Sequence, residues 1–207
     1  MNIQSLNIGK NITLVAAVKR HSIKKIKMLI EKGVRNLGWS TLQHLKEAYP
    51  ELEGTKGIRH HFIGHLQRNK VRTLLSYPIE FIHSVDSKEL LTKINTVAEE
   101  LGKKQTVLLQ INTDEEKEHG LSIDEVREIL KMRKNLSSIK IEGLMTIPSA
   151  QSNARHIYKG LRMQRDKLEK EFKNPISTLS MGMSDDYLIA MEEGATMVRL
   201  GRILFQE

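Results

Sequence analysis

A lysine ending an apolar run, a Gly-Ser turn carrying two aspartates and an arginine two residues before another glycine are the parts of this sequence that could do chemistry together. Lys19 closes T-L-V-A-A-V-K, Thr13 to Lys19, a short run of β-branched and small residues. An amine at the carboxyl end of a buried strand is a nucleophile toward carbonyl compounds. S-M-G-M-S-D-D, Ser180 to Asp186, and M-V-R-L-G-R, Met197 to Arg202, combine hydroxyls, glycines that leave backbone N–H groups approachable and fixed cations. That is the donor set of an anion site. H-H-F-I-G-H-L-Q-R-N-K, His60 to Lys70, places histidines around a strand that runs through Gly64 into a polar turn.

Each piece also has a plainer structural reading. A lysine after a strand can simply open a surface loop, and Gly, Ser and Asp fill turns. His60 and His61 are neighbours on a strand, so they face opposite sides, and no carboxylate stands at metal-ligand spacing; no metal is expected. Asp185-Asp186 reads better as a helix N-cap than as an acid/base pair, and Met145 and Met181 read as barrel lining.

The elements that would position these residues follow from periodicity. Strands are expected near 13–18, 35–40, 60–64, 80–85, 105–112, 139–147, 178–183 and 197–201. Helices are expected near 23–32, 41–48, 67–76, 87–101, 122–134, 151–173 and 185–193. Alternation of strand and helix implies a parallel sheet with crossover helices, and at this count an α/β class (β/α)8 TIM barrel, one domain over 1–207. Gly33 and Gly194 stand at helix ends, and Ser87, Ser122 and Ser184-Asp185 stand at helix starts. The barrel puts the loops after strands seven and eight where phosphate sites form, with Lys19 facing them from strand one. An amine opposite a phosphate seat suggests a Schiff base to a phosphorylated aldehyde, for which pyridoxal 5′-phosphate (PLP) is the biological candidate. Arg199, alternating inward, would donate to the pyridine nitrogen. An arginine stays protonated, so that nitrogen would stay unprotonated and the ring a poor electron sink.

Composition narrows the classes. The 207 residues carry 33 Lys+Arg against 25 Asp+Glu and no cysteine, which excludes disulfides and thiolate chemistry. The formal charge of +8 draws polyanions and phosphorylated small molecules alike. Interleaved acids and 4% aromatic residues disfavour nucleic acid. The basic amphipathic stretch Gln151 to Lys173 reads as a solvated helix face. No apolar run is long enough for a membrane span, and the polar start lacks a signal-peptide plan, so a cytoplasmic protein is expected. Only about a dozen residues precede the first strand, and Phe205-Gln206-Glu207 follows the eighth, so an eighth covering helix is not expected. A monomer or weak homodimer follows, with the open flank a candidate for partner cover.

L-V-A-A-V-K, H-F-I-G-H-L-Q-R-N-K, I-E-G-L-M-T-I-P, L-S-M-G-M-S-D-D and M-V-R-L-G, in this order from about Leu14 to Phe205, resemble the pyridoxal phosphate homeostasis protein family, whose fold is like the N-terminal barrel of alanine racemase. The resemblance implies Lys19 as the Schiff-base lysine, Ser180 and the Gly201-Arg202 turn as phosphate ligands, and Arg199 at the pyridine nitrogen. It implies a PLP carrier and regulator of vitamin B6 and of amino-acid and keto-acid pools, with PLP-dependent apo-enzymes as possible recipients and no reaction of its own. The sequence departs from the family where F-G-E-N is usual: here stand Leu37, Gly38, Trp39 and Ser40, with Trp39 either stacking beside the ring or filling space. Arg202 replaces a small hydroxyl residue, either reaching the phosphate or blocking its seat, and the N-terminal helix and C-terminal tail are shortened. The alternatives are a racemase-like PLP enzyme, for which none of Tyr49, Tyr77, Tyr158 or Tyr187 is evidently placed, and a degenerate barrel that binds polyanions or proteins.

Overall fold

The computed structural model describes residues 6–113, 120–149 and 152–206. Its centre is a closed barrel in the order β1 to β8: β1 (Thr13–Ala17), β2 (Asn36–Trp39), β3 (Arg59–Phe62), β4 (Ile79–Val85), β5 (Gln105–Gln110), β6 (Ile139–Met145), β7 (Thr178–Ser180) and β8 (Met197–Leu200). Neighbouring strands are all parallel, and β1 pairs β8 with Val15 opposite Arg199. The surrounding helices are α1 (Ile23–Glu31), α2 (Leu42–Ala48), α3 (Val71–Leu75), α4 (Lys88–Glu100), α5 (Ile123–Met132), α6 (Ala154–Phe172), α7 (Tyr187–Glu192) and α8 (Arg202–Phe205). The expected (β/α)8 architecture is therefore observed.

Two apolar layers hold it. Outward-facing strand residues such as Ala16, Leu37, Ile82 and Val198 are fully buried against the helices, whose apolar stripes recur at helical spacing, as with Ile26 and Leu29 on α1. Period-two alternation sends the other set inward. On β1 this set is Thr13, Val15 and Ala17, and Lys19 continues their face beyond the strand end.

Helix starts follow local chemistry. Ser87 accepts from the Leu90 N–H. Ser122 and Glu125 form a reciprocal capping box that anchors α5. Gly33 and Gly194 adopt φ of +97° and +94° where α1 and α7 end, a conformation that costs glycine least.

Four local expectations are corrected. α3 is shorter than predicted, because Arg68–Lys70 forms a 3-10 turn first. α6 starts at Ala154 with Asn153 as its cap; the earlier predicted start, near 151, lies outside the described residues. α7 begins at Tyr187 after Asp186, not at Ser184-Asp185, since the Met183 N–H donates to Asp186 Oδ1 at 2.6 Å and tightens the preceding turn. Finally, a one-turn eighth helix does exist: Leu204 is buried, and Phe205 stacks on His21 with ring centroids 3.5 Å apart. Among the described residues no helix is long and apolar enough to cross a membrane.

Candidate functional site

The carboxyl ends of the strands open into a cavity of about 440 Å3. Its wall includes Lys19, Arg199, Gly201 and Arg202, four of the five residues expected to act together. Ser184, Met183 and Asp185 line it from the turn after β7; Ser40, Ile63 and Ile147 line it from the ends of β2, β3 and β6. This is a volume in which a small cofactor fits.

Lys19 is solvent-exposed, two residues beyond β1. The next residue, Arg20, has φ of +61°. A non-glycine side chain in that region costs about 1–2 kcal/mol, and the conformation turns the chain sharply after the lysine toward α1.

On the opposite wall the turn after β7 needs Gly182. Its φ is +93°, and a Cβ there would lie 2.6 Å from the Ala190 Cβ. The turn carries Ser184 to the start of α8, where the Gly201 and Ile203 N–H groups point at its hydroxyl oxygen from 3.3 and 3.4 Å. Two backbone amides and a hydroxyl thus converge at the cavity rim. Arg202, also at the rim, is ion-paired with Asp185 across the mouth.

Arg199 lies deeper and is 4% exposed. Its Nη1 donates to the Ser180 carbonyl oxygen and to Ser180 Oγ, both at 2.7 Å, and Nη2 donates to the Thr146 carbonyl oxygen at 2.8 Å. Burial lowers its pKa to about 10, with Tyr158 and Asp186 opposing the shift, so it remains a cation at neutral pH. Ser180, the fifth expected residue, is not on the cavity wall. Its hydroxyl is fully buried beneath Arg199 and is also hydrogen-bonded to His83. Ser184, four residues on, is the hydroxyl at the rim.

Other residues sort by strand alternation. Trp39 is fully buried on the outer face of β2, and its Nε1 donates to His60 Nδ1 at 3.0 Å. It fills the space between barrel and helices and does not stack in the cavity; the smaller departure, Ser40, is the one that reaches the wall. His60 and His61 do face opposite sides, His60 to Trp39 and His61 to His83 in the barrel interior. Burial holds both neutral, with pKa values lowered to about 4 and about 3.

His21 is the cavity residue that sequence reasoning missed. Burial first, then the charge of Lys25, lowers its pKa, which favours the free base. Its spacing two residues after Lys19 was the available signal. Tyr158 is buried and donates to Asp186 at 2.8 Å, which makes it part of the wall's support rather than of its surface.

Residues 2–207 match the family described as alanine racemase, N-terminal domain. The pyridoxal phosphate homeostasis protein of Aquifex aeolicus is 35% identical over 204 residues, covering 96% of this chain and 89% of that one. The chain belongs to the pyridoxal phosphate homeostasis protein family. The member from Synechocystis is 36% identical, covering 94% and 91% of the two chains. Among solved structures, PipY of Synechococcus elongatus, with PLP bound, superposes with a TM-score of 0.91 at 28% identity, over 98% of this chain and 96% of that one. An alanine racemase from Clostridium difficile shares the fold, with a TM-score of 0.80 at 21% identity; this chain covers 55% of it.

Proposed function

We propose that the chain binds PLP through the Lys19 amine and serves vitamin B6 homeostasis as a carrier, without turning over a substrate. The observation that carries this reading is the convergence on one cavity of an accessible amine, a buried cation and a rim of two amides with a hydroxyl. The family's names and the PLP-bound relative support it. When bound, PLP supplies an aldehyde that an amine captures reversibly.

The protein's own residues divide the work. Lys19 presents the nucleophile. Ser184, whose hydroxyl oxygen now accepts from the Gly201 and Ile203 amides, would hold the phosphate together with those amides and with Arg202, which now pairs with Asp185. Arg199, a donor only, would meet the pyridine nitrogen of bound PLP and keep a proton off it. Ser180 acts one step back, by holding Arg199. His21 lines the same cavity, its ring stacked on Phe205.

Racemisation requires acid/base groups on both faces of a substrate carbon. Among the described residues the cavity wall carries no tyrosine, and an arginine at the ring nitrogen of bound PLP would favour holding the cofactor over stabilising a carbanion. PLP-dependent apo-enzymes are the recipients this reading implies. The test is an absorbance titration with PLP of wild type and of Lys19→Ala, followed by incubation with L-alanine monitored by circular dichroism. A visible band in wild type alone, with no loss of optical activity, is expected. An equal band in Lys19→Ala overturns the site, and loss of optical activity overturns the carrier assignment.

A further inference from the structure

The interior of an eight-stranded parallel barrel is ordinarily filled by branched apolar side chains. Here two imidazoles stand in it. His83 is fully buried on β4, and His61 is 1% exposed on β3. Their ring nitrogens, His83 Nε2 and His61 Nδ1, are 3.0 Å apart. His83 Nδ1 lies 3.0 Å from Ser180 Oγ, and His61 Nε2 lies 3.1 Å from Asn36 Oδ1.

The direction of this chain is fixed from its far end. Asn36 Oδ1 can only accept, so neutral His61 carries its proton on Nε2 and donates to it, leaving Nδ1 to accept from the His83 Nε2–H. His83 Nδ1 then accepts the Ser180 proton, while Ser180 Oγ accepts from Arg199, which can only donate. Every bond points the same way, so each polarises the next and the chain is stronger than isolated pairs. Both imidazoles are neutral, because burial and the neighbouring positive charge hold them so.

Burying two imidazoles costs solvation that an apolar pair would not. What the chain provides is an anchor for the one charged group at its end. Arg199 has five N–H donors. Three are taken by the Ser180 carbonyl, the Ser180 hydroxyl and the Thr146 carbonyl, leaving two for the cavity that Arg199 lines.

We propose that His83 is a positioning residue for the cofactor: by taking the Ser180 proton it locks the Ser180 lone pairs toward Arg199 and sets the angle at which the guanidinium meets the pyridine nitrogen. This rests on the PLP reading above and assigns a role to a residue that touches no ligand. Removing the His83 acceptor frees the Ser180 hydroxyl to rotate and compete for the same lone-pair direction. Arg199 then keeps its carbonyl contacts but loses its alignment with the ring nitrogen.

The test compares affinities for PLP and for 1-deaza-pyridoxal 5′-phosphate, in which C–H replaces the ring nitrogen. The quantity read is the ratio of the two affinities, referred to its value in Arg199→Met. A wild-type ratio about tenfold or more above that reference is expected for a charge-assisted hydrogen bond. His83→Leu and Ser180→Ala should bring the ratio to within about threefold of the reference, at little change in affinity for the deaza compound. His83→Gln, which carries an acceptor and a donor, should restore most of it. A merely structural role would weaken both ligands equally. Retention of the wild-type ratio in either folded variant overturns this proposal alone, and Ser180→Ala decides the matter if His83→Leu does not fold. A wild-type ratio equal to that of Arg199→Met removes the Arg199 assignment and this proposal with it, whereas failure of Lys19 to capture PLP is seen separately in the absorbance titration.

Discussion

The two mouths of the barrel enclose cavities of similar size, about 440 Å3 at the carboxyl ends of the strands and about 390 Å3 at the amino ends. Their charge is organised differently. At the amino-end mouth Arg59 and Lys140 face Glu80 and Glu142, and the Lys140 ammonium pairs with Glu142 at 2.6 Å. At the carboxyl-end mouth Lys19, Arg199 and Arg202 face Asp185 as the one carboxylate of the described wall, and two backbone amides add to the positive potential. A depression of suitable volume is therefore not enough to make a site. Positive charge left in excess favours an anion at the carboxyl-end mouth, which α/β barrels build from loops free to vary.

The comparison can be broken most sharply at the lysines. Lys19→Ala should abolish covalent capture of PLP, read by mass spectrometry after borohydride reduction, whereas Lys140→Ala should leave it unchanged. Equal losses would erase the distinction between the mouths.

Acid should act on the column of histidines between and around them. Burial lowers the folded pKa of His60 to about 4 and of His61 to about 3, and holds that of His83 well below the ordinary 6.5. The unfolded chain therefore takes up protons first as pH falls below 6.5, and stability is lost as pH drops from there toward about 4. Each histidine contributes about 1.4 kcal/mol per pH unit, or roughly 4 kcal/mol per unit together. Urea denaturation at pH 7, 6 and 5 should show this slope, and His60→Gln should reduce it by about a third; a flat profile would mean that the imidazoles are not buried as described.

At the rim, Arg202→Ser should weaken PLP binding by roughly three- to tenfold and reduce its salt dependence, since an exposed cation contributes a screened, charge-assisted contact. An increase in affinity would mean that Arg202 obstructs the seat. The smallest effect is expected at the other mouth, where Glu142→Gln should change stability by less than about 1 kcal/mol and PLP affinity not at all.

Much of the architecture was legible in the sequence because the barrel is written twice, in short apolar runs and in the helix-period segments between them. Lys19, Arg199, Gly201 and Arg202 could be grouped from the sequence because strand ends are predictable from those runs, and the structure puts them on one cavity wall. Ser180 was grouped with them because hydroxyl and turn look alike along the whole of S-M-G-M-S, whereas the structure buries its hydroxyl against Arg199 and His83. What separates Ser180 from Ser184 is a half-turn of backbone at Gly182, which periodicity does not encode. Trp39 and Ser40 were read as one altered loop, although alternation sends one to the helices and the other to the cavity. His83 was invisible as a partner of Arg199, since their contact through Ser180 joins strands four, seven and eight. The one-turn α8 was missed because four residues carry no period.

The measurement that tests the central claim most directly is peptide mapping of wild-type protein after incubation with one equivalent of PLP and borohydride reduction. A single modified peptide, carrying the adduct on Lys19 at near-stoichiometric yield, is expected. Label distributed over several lysines, or carried mainly by a lysine outside the carboxyl-end cavity, would contradict it.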